Sequence, residues 1–545
     1  MKKLMAAVVA AGVLFCTDAE ACTNLIVGKK ASADGSVIVS YNADSYGMYG
    51  NLYRHAGGTH AKGEMRKVYE WDTGKYLGEI PQAAVTYNVV GQMNEYQVSV
   101  TETTFGGRGE CHDPNGLIDY GSLMYIALER SKTAREAISV MTSLVDEYGY
   151  CSVGESFSVC DKNEAWIMEM MGKGRGDHGA VWVAVRIPDE CISAHANQSR
   201  ITRFLQLFPK KDVLYSKDVI KFAREKGFFT GKDRDFSFRD AYAPNDFSAV
   251  RYCEARVWSF FNRFKDGMDE YLDYILCKDM QSEMPLYLKP DRQLSVDDVK
   301  NSMRDHYEDT PLCINDDLGA GAWNMPYRPT PLEKRVGDRT YFNERPISTQ
   351  QTGFSFVGQM RNWLPDAVGG IVWWTNDDAN MAAYTPIYCS VTEVPKCYLC
   401  IDGVQDDLTF SWKSAFWLEN TVAGMVYPYY SKIFPDLLRA RNELEDDFRD
   451  YQPKIEAEAL AAAENTADIL TRYSLGCATK MMNRWDTLLK YIIVKHLDMA
   501  VKMENNGKFI RTEYGRGEEP SRPGYGVEYW FKIDADTDGR YRVTE

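Results

Sequence analysis

Cys22 is the residue whose position most directly indicates chemistry in this sequence. It directly follows Ala19-Glu20-Ala21, a small-residue triplet typical of signal-peptidase cleavage sites. Cleavage after Ala21 makes Cys22 the first residue of the mature chain, so that a free α-amine lies beside its own thiol. Such an amine has a reference pKa of about 7.7–8.0 and can accept the thiol proton. The sequence therefore predicts an N-terminal cysteine nucleophile that carries its own base.

The segment upstream of Cys22 has the form of a secretory signal. Lys2 and Lys3 supply a positive start, and Leu4 to Phe15 form an apolar run. That run is too short to cross a bilayer, which needs about 20 residues, and no later segment is long and apolar enough to do so. We therefore expect an exported protein, periplasmic or extracellular. The alternatives are a lipoprotein signal ending at Cys22, which would block both its thiol and its amine, and an ordinary buried strand cysteine.

Composition limits the function classes. The chain has 545 residues, of which 26% are charged and 45% hydrophobic, as in ordinary globular proteins. Its net charge of −15 argues against nonspecific binding to nucleic acid or to anionic lipid, because like charges repel phosphate. Whether the protein forms a homo-oligomer stays open.

The sequence holds 13 cysteines, one of them in the signal, and they are scattered rather than spaced as a disulfide framework. Cys397 and Cys400 form the one close pair. No second pair or nearby histidine accompanies them, so a disulfide or two buried thiols is favoured over a zinc site.

A calcium-loop pattern lies at the carboxyl end. It has acidic residues at the ligand positions Asp534, Asp536, Asp538 and Glu545. The preceding residues 529–533 are typical of a strand rather than a helix, which favours a hairpin turn at Asp538 instead. We expect no cofactor, with Ca²⁺ at this loop as the alternative.

Pairs of β-rich runs joined by short polar turns indicate antiparallel sheets. The first pair, residues 23–28 and 37–41, begins at Cys22. The later pairs are 84–90 with 96–101, 156–160 with 165–170, and 180–187 with 191–194. Residues 120–148 form a helical stretch in which Thr133 and Glu136 make a capping box. The expected fold class is α+β, with helices covering the sheets.

The chain divides into four segments by these patterns. Residues 1–21 are the signal, 22–410 a catalytic core with helical insertions, and 411–503 a helical region packed on that core. Residues 504–545 form a tail that is rich in Gly and Pro and then β-like from residue 526.

Several motifs carry a resemblance to a known family. They are residues 22–36 (CTNLIVGKKASADGS), 93–95 (MNE), 102–104 (ETT), 193–201 (SAHANQSRI), 356–366 (FVGQMRNWLPD), 369–370 (GG) and 414–417 (SAFW). Through these stretches the sequence resembles the secreted cysteine-type dipeptidases among the N-terminal nucleophile (Ntn) hydrolases, and the similarity extends from Cys22 to about residue 500.

The resemblance implies a four-layer αββα sandwich of two antiparallel sheets and hydrolysis of short peptides, chiefly dipeptides. It places Asp44 as the carboxylate that orients the Cys22 amine and Asn197 as an oxyanion donor, with a backbone N–H near Thr103 as the second donor. Asn42 can hydrogen-bond in the same pocket, although turn chemistry also explains it. The family usually has Arg-Asn-acidic-Asp here, and this chain has Tyr41 in place of the arginine.

Two arginines and one histidine lie in the matching motifs. Arg200 and Arg361 can brace the site or hold a substrate carboxylate bidentately, or each can be a structural ion pair. His195 is expected to be a structural histidine with satisfied hydrogen bonds rather than a base.

Three function classes follow. The first is a cysteine dipeptidase acting through an acyl-enzyme on Cys22. The second is a linear-amide hydrolase of the bile-salt or penicillin type, because the same core and nucleophile accept acyl amides. The third is an exported binding protein of the same fold without catalysis, which the substitution at Tyr41 keeps open.

Overall fold

A computed structural model describes residues 22–330, 332 and 334–543. The predicted signal, residues 1–21, lies outside them. The described chain has an α+β fold with two large antiparallel sheets and a helical carboxyl-terminal region. Four separate two-stranded sheets accompany them, at residues 58–59 with 85–86, 65–69 with 76–81, 334–336 with 339–341, and 504–505 with 508–509.

The strands of the two large sheets are, in chain order, β1 (Asn24–Val27), β2 (Val37–Asp44), β3 (Arg54–His55), β4 (Val89–Val90), β5 (Met93–Asn94), β6 (Ser99–Gly106), β7 (Gly154–Cys160), β8 (Ala165–Gly172), β9 (Ala180–Ile187), β10 (Ile192–His195), β11 (Val213–Tyr215), β12 (Tyr287–Leu288), β13 (Thr352–Met360), β14 (Gly370–Asn376) and β15 (Thr385–Tyr388). The first sheet has the order β12-β10-β1-β2-β13-β14-β15. The second has the order β11-β9-β8-β7-β6-β5-β4-β3.

The helices are, in chain order, α1 (Tyr120–Arg130), α2 (Ala134–Tyr148), α3 (Phe204–Leu207), α4 (Val219–Glu225), α5 (Phe238–Tyr242), α6 (Ala255–Asn262), α7 (Leu272–Ile275), α8 (Val296–Ser302), α9 (Asp366–Gly369), α10 (Ala415–Val426), α11 (Tyr430–Ala461), α12 (Thr466–Lys495) and α13 (Val527–Asp536). A π-helical turn, Ala249–Glu254, leads directly into α6.

The hairpin of β1 and β2 is confirmed and positions Cys22. Ile26 pairs with Val39, and the backbones of Thr23 and Asn42 exchange both hydrogen bonds (3.1 and 2.9 Å). Residues directly opposite in an antiparallel pair point to one face of the sheet. Cys22 therefore shares its face with Tyr41, whereas Asp44 belongs to the alternate set on β2.

Two buried apolar clusters fill the molecule. One joins α1 and α2 to the second sheet, with Leu123, Ile138 and Met141 fully buried. The other extends from β1 and β2 to the carboxyl-terminal helices, where Leu470 and Trp485 of α12 are fully buried. Thr133 caps α2 as predicted, accepting a hydrogen bond from the Glu136 N–H (3.2 Å). The helices are thus held to the sheets by burial of their apolar faces.

The predicted pairing of residues 180–187 with 191–194 is wrong. Strand β9 pairs with β8 in the second sheet, and β10 pairs with β1 in the first, with His195 opposite Asn24. The short turn between β9 and β10 is therefore a crossing from one sheet to the other. Local alternation of apolar residues cannot distinguish such a crossing from a hairpin, because both present the same pattern.

The prediction of a β-like tail from residue 526 is also wrong. Residues 527–536 form helix α13, although their run of aromatic residues favours a strand by propensity. Tyr525, just before the helix, contacts the rings of Tyr529 and Trp530 in its first turns, at centroid distances of 5.2 and 5.3 Å. Context therefore overrides the intrinsic strand preference of these aromatic residues.

Among residues 22–330, 332 and 334–543, no helix combines the length and the apolar composition needed to traverse a bilayer.

Candidate active site

The Cys22 side chain is buried, with 2% of the residue exposed, just before β1. Its Sγ lies 3.7 Å from the Glu102 Oε1 atom and 3.8 Å from the Tyr41 hydroxyl oxygen. The Tyr41 hydroxyl itself donates a hydrogen bond to Glu102 Oε1. Strands β2 and β6 thus bring a hydroxyl and a carboxyl group to the thiol from the two sheets.

Arg256 of α6 supports the backbone at Cys22. Its Nη1 donates to the Cys22 carbonyl oxygen (2.6 Å) and to Thr23 Oγ1 (2.7 Å). Its Nη2 donates to the Ala196 carbonyl oxygen (2.9 Å) and to Asn197 Oδ1 (3.0 Å). One buried guanidinium therefore ties the predicted nucleophile to the predicted oxyanion donor. It also supplies positive charge near the site where the family pattern has an arginine and this chain has Tyr41.

Asn197 follows β10 in the left-handed backbone region, with φ of 68°. Asparagine is one of the few residues that adopts this conformation readily. Its Nδ2 donates to the Thr104 carbonyl oxygen at 2.8 Å, so the amide lies between the first sheet and β6. Cys22 and Asn197 share Arg256 as a hydrogen-bond partner.

Asp44 ends β2 and is fully buried. Its carboxylate accepts hydrogen bonds from Arg345 (2.6 Å) and from Thr352 Oγ1 (2.5 Å). Burial raises the pKa of this carboxyl group, while Arg345, Thr352 and Arg256 act to lower it. Asp44 and Arg345 thus form a buried ion pair at the end of β2.

The Asn42 side chain is engaged in the interior. Its Nδ2 donates to the carbonyl oxygens of Met303 (3.2 Å) and Ile347 (3.1 Å), and its Oδ1 accepts from Ser355 Oγ (2.5 Å). Both amide hydrogens are therefore used in holding neighbouring chain segments, which favours the structural interpretation over substrate binding.

A polar network joins the two sheets beside Cys22. Thr103 Oγ1 lies 2.7 Å from His195 Nδ1, and Ser158 Oγ lies 2.7 Å from His195 Nε2. Asn24 of β1 donates to Thr101 Oγ1 of β6 (3.0 Å). The expectation that His195 is a structural histidine with satisfied hydrogen bonds is confirmed. The Thr103 hydroxyl is likewise used within this network.

Burial, and secondarily the nearby charge of Arg200, lowers the pKa of His195 to about 3. The unfolded chain takes up a proton at this histidine below its ordinary pKa near 6.5, whereas the folded protein does not, so stability falls as the pH decreases from 6.5 toward 3. By pH 5 this linkage costs about 2 kcal/mol relative to pH 7. Urea unfolding at both pH values measures this effect. Between pH 7 and pH 5, we expect the free energy of unfolding to fall by correspondingly less in His195→Gln than in the unaltered protein. Equal decreases would contradict a neutral buried imidazole.

Arg200 and Arg361 are both structural ion pairs in this fold. Arg200 is paired with Glu254 (2.9 Å) and also donates to the carbonyl oxygens of Ala194 and Leu286. Arg361 pairs with Glu456 of α11 (2.7 Å).

Arg361 also lies far from Cys22, at the other end of β2. It follows Met360, which pairs with Val37, and Val37 is the opposite end of β2 from Asp44. At about 3.3 Å per residue, the two ends of β2 lie roughly 20 Å apart. Arg361 therefore attaches the helical region to the first sheet rather than lining the site at Cys22.

Two further sequence motifs lie away from Cys22. Cys397 and Cys400 are free, half-buried thiols, which agrees with two thiols rather than with a disulfide. Asp534 lies within α13 and is paired with Arg542 (2.8 Å), and Glu545 lies outside the described residues. Among residues 22–330, 332 and 334–543, no three His, Cys, Asp or Glu side chains gather closely enough to hold a metal ion. The expectation of no cofactor, with Ca²⁺ at this loop as the alternative, stays a prediction.

A buried thiol beside an amide donor, a guanidinium and a carboxyl group provides what a cysteine hydrolase requires. The sequence model of Peptidase family C69 matches residues 21–56 and 57–443. The chain therefore belongs to Peptidase family C69 and is a peptidase.

The chain is similar to several curated proteins. It is 27% identical over 433 residues to a "Probable dipeptidase" of Latilactobacillus sakei, covering 75% of this chain and 82% of that protein. It is 26% identical over 394 residues to a "Probable dipeptidase" of Salmonella dublin, covering 68% and 81%. It is 27% identical over 441 residues to a "Dipeptidase" of Bifidobacterium longum, covering 74% and 77%.

Sequence reasoning missed Arg256 and assigned no role to Glu102. Arg256 lies 234 positions from Cys22 in a helix whose pattern indicates only burial of aromatic residues. Glu102 is part of a matching motif, but its contact with Tyr41 depends on how the two sheets pack. The sequence signal for the Tyr41–Glu102 contact was the tyrosine at a position where the family has an arginine, since a buried tyrosine hydroxyl there requires its own hydrogen-bond partner.

Proposed function

We propose that this protein is an exported dipeptidase whose mature chain begins at Cys22 and that Cys22 is its nucleophile. The observation that carries the proposal is the burial of this thiol against Arg256-bound backbone and beside Asn197, at the residue that follows the predicted cleavage site. Membership of Peptidase family C69 and the dipeptidase names of its relatives support a peptide substrate.

The proposed reaction begins with proton transfer from the Cys22 thiol to its own neutral α-amine. The thiolate attacks the carbonyl carbon of the peptide bond, and the tetrahedral oxyanion is stabilised by the Asn197 amide and a backbone N–H. The ammonium group then gives its proton to the departing amine, which leaves an acyl-enzyme thioester. The neutral amine next accepts a proton from a water molecule as the water oxygen attacks the thioester carbon. The C–S bond then breaks, the free acid is released, and the ammonium group returns the proton to the Cys22 thiolate.

Asp44 and Arg256 serve this reaction by position. Arg256 fixes the Cys22 carbonyl and the Asn197 amide relative to each other, because it donates to both. Asp44 balances the charge of Arg345 at the end of β2, on the face of the strand opposite to that of Cys22. Its role in orienting the Cys22 ammonium group is proposed on the family resemblance.

We also infer that the fold is the αββα sandwich of Ntn hydrolases. Two antiparallel sheets that contact each other through Asn24 and Thr101 support this assignment. Helices α1 and α2 pack on the second sheet and α12 belongs to the buried cluster of the first.

The proposal is tested by assaying the purified, exported protein on a panel of dipeptides and of N-acylated amides. We expect hydrolysis of free dipeptides, followed by release of both amino acids. Turnover confined to N-acylated amides would instead support the acylase alternative, and turnover of neither would contradict the proposed function.

A further inference from the structure

Glu102 is a buried carboxyl group at the nucleophile, and none of the side chains that act most strongly on it is a cation. Only 1% of the residue is exposed. Burial is the strongest influence on its pKa, followed by the Tyr41 hydroxyl, the Glu155 carboxyl, Asp72 and the Cys22 thiol. Within the described part of the chain, its Oε2 atom accepts no hydrogen bond. Buried carboxylates are normally paired, so this one can accept an ammonium group.

Several other buried carboxylates of this protein do have such partners. Asp44 is bound by Arg345, Glu254 by Arg200, and Glu445 by Arg304. At Glu102, Glu155 of the same sheet face lowers the pKa by a side-chain hydrogen bond, whereas Asp72 raises it. Asp377 and Glu419 also have an orphaned oxygen and no cation among their strongest influences, and the contact with Cys22 is what distinguishes Glu102 from them.

The geometry of a peptide substrate supplies a cation at this place. In an amino-terminal residue the α-nitrogen is about 2.5 Å from the carbonyl carbon, as bond lengths near 1.5 Å and an angle of about 111° dictate. When Cys22 Sγ approaches that carbon, the ammonium group must lie within a few ångströms of the sulfur. Glu102 Oε1 is 3.7 Å from Sγ. An ammonium group beside the sulfur would therefore lie within reach of a hydrogen bond to that oxygen.

Tyr41 holds the carboxyl group in this position. Burial, followed by the proximity of Cys22 and Glu102, keeps the pKa of Tyr41 well above its ordinary value, so the phenol remains a donor to Glu102. Burial also raises the pKa of Glu102 to about 7, and the hydrogen bonds from Tyr41 and Glu155 offset part of that rise. A proton can therefore neutralise the Glu102 carboxyl group, and an arriving ammonium group can replace that proton.

We propose that Glu102, positioned by Tyr41 and reinforced by Glu155, binds the α-ammonium group of the substrate's amino-terminal residue. This inference rests on the proposed peptidase function and deepens it, since it makes a free amino terminus the feature that the site recognises. An apolar acyl group at the same position would leave the carboxyl group buried against hydrocarbon. The site therefore selects peptides with a free amine over N-acylated amides.

The test compares Ala-Ala with lactoyl-alanine, in which a hydroxyl replaces the ammonium group at nearly constant shape. We expect the unaltered enzyme to favour Ala-Ala by about 10³-fold in kcat/KM, because a buried charged site rejects an analogue that cannot pair with it. In Glu102→Gln this preference should fall to within about tenfold, mainly through loss of activity on Ala-Ala. Tyr41→Phe retains the carboxyl group and should keep most of the preference.

Several outcomes overturn the inference. If Glu102 acted as the base for Cys22 instead, Glu102→Gln would slow both substrates equally and leave the preference intact. An unaltered enzyme without a preference would also contradict it. The matched control is Glu169→Gln, a buried carboxyl group bound by Ser199 and by the Arg200 and Ile201 amides, which should leave the preference unchanged whatever its effect on stability.

A binding measurement separates this inference from the proposed function. Calorimetric titration of Cys22→Ala with the same two compounds reports the ammonium site without turnover. Preferential binding of Ala-Ala by this variant, together with no hydrolysis by the unaltered protein, would support the site and reject the dipeptidase. Hydrolysis of both compounds with equal efficiency would reject the site and keep a peptidase.

Discussion

Replacing Cys22 by alanine is expected to reduce kcat/KM for dipeptides by about 10⁴-fold or more. Loss of the nucleophile in a hydrolase that acts through an acyl-enzyme typically has an effect of this size, because the remaining groups cannot form the covalent intermediate. The measurement is steady-state dipeptide hydrolysis by the purified variant, with thermal unfolding as the check on folding. Since only a sulfur atom is removed, the sheet around residue 22 should persist.

The matched control is Cys313→Ala, which alters a half-buried free thiol in a loop outside the site. We expect its kcat/KM to stay within twofold of the unaltered enzyme. If Cys22→Ala retained a tenth of the activity, the nucleophile would be another group and the proposed reaction would be wrong.

The second large effect is expected from Asn197→Gly, which should lower kcat/KM by about 10²–10³ through loss of an oxyanion donor. Glycine is the informative substitution because the backbone at this position has a φ of 68°, which glycine adopts freely. Asn197→Ala should lose similar activity and in addition about 1 kcal/mol of stability, since a Cβ is unfavourable there.

Comparing the two variants separates chemistry from backbone strain. Asn324→Gly provides the control, because Asn324 is an exposed asparagine that also has a positive φ, of 55°, and it should leave kcat/KM unchanged. An Asn197→Gly enzyme with kcat/KM within threefold of the original would remove Asn197 from the proposed reaction.

The parts of the site that the sequence predicts are those set by local pattern or by family motif. The strand after Cys22, its hairpin with β2 and the cap at Thr133 follow from alternation and turn chemistry within a few residues. Asn197 was found because a motif marks it, not because any pattern shows that it reaches Cys22.

The parts that could not be predicted depend on contacts between distant segments. Arg256 reaches Cys22 across 234 positions, and Tyr41 reaches Glu102 across 61. Both contacts require the packing of separate elements, which periodicity does not encode. The misplaced β9–β10 pairing has the same origin, because the choice of sheet is made by tertiary partners rather than by the strands themselves.

The central claim, that the chain start itself is the catalytic group, is tested most directly by mass spectrometry of the amino-terminal peptide from the purified, active protein. The account predicts a peptide that begins at Cys22 with an unmodified α-amine. Full dipeptidase activity in protein whose terminal peptide retains residues upstream of Cys22, or carries an acyl group on its amine, would contradict it.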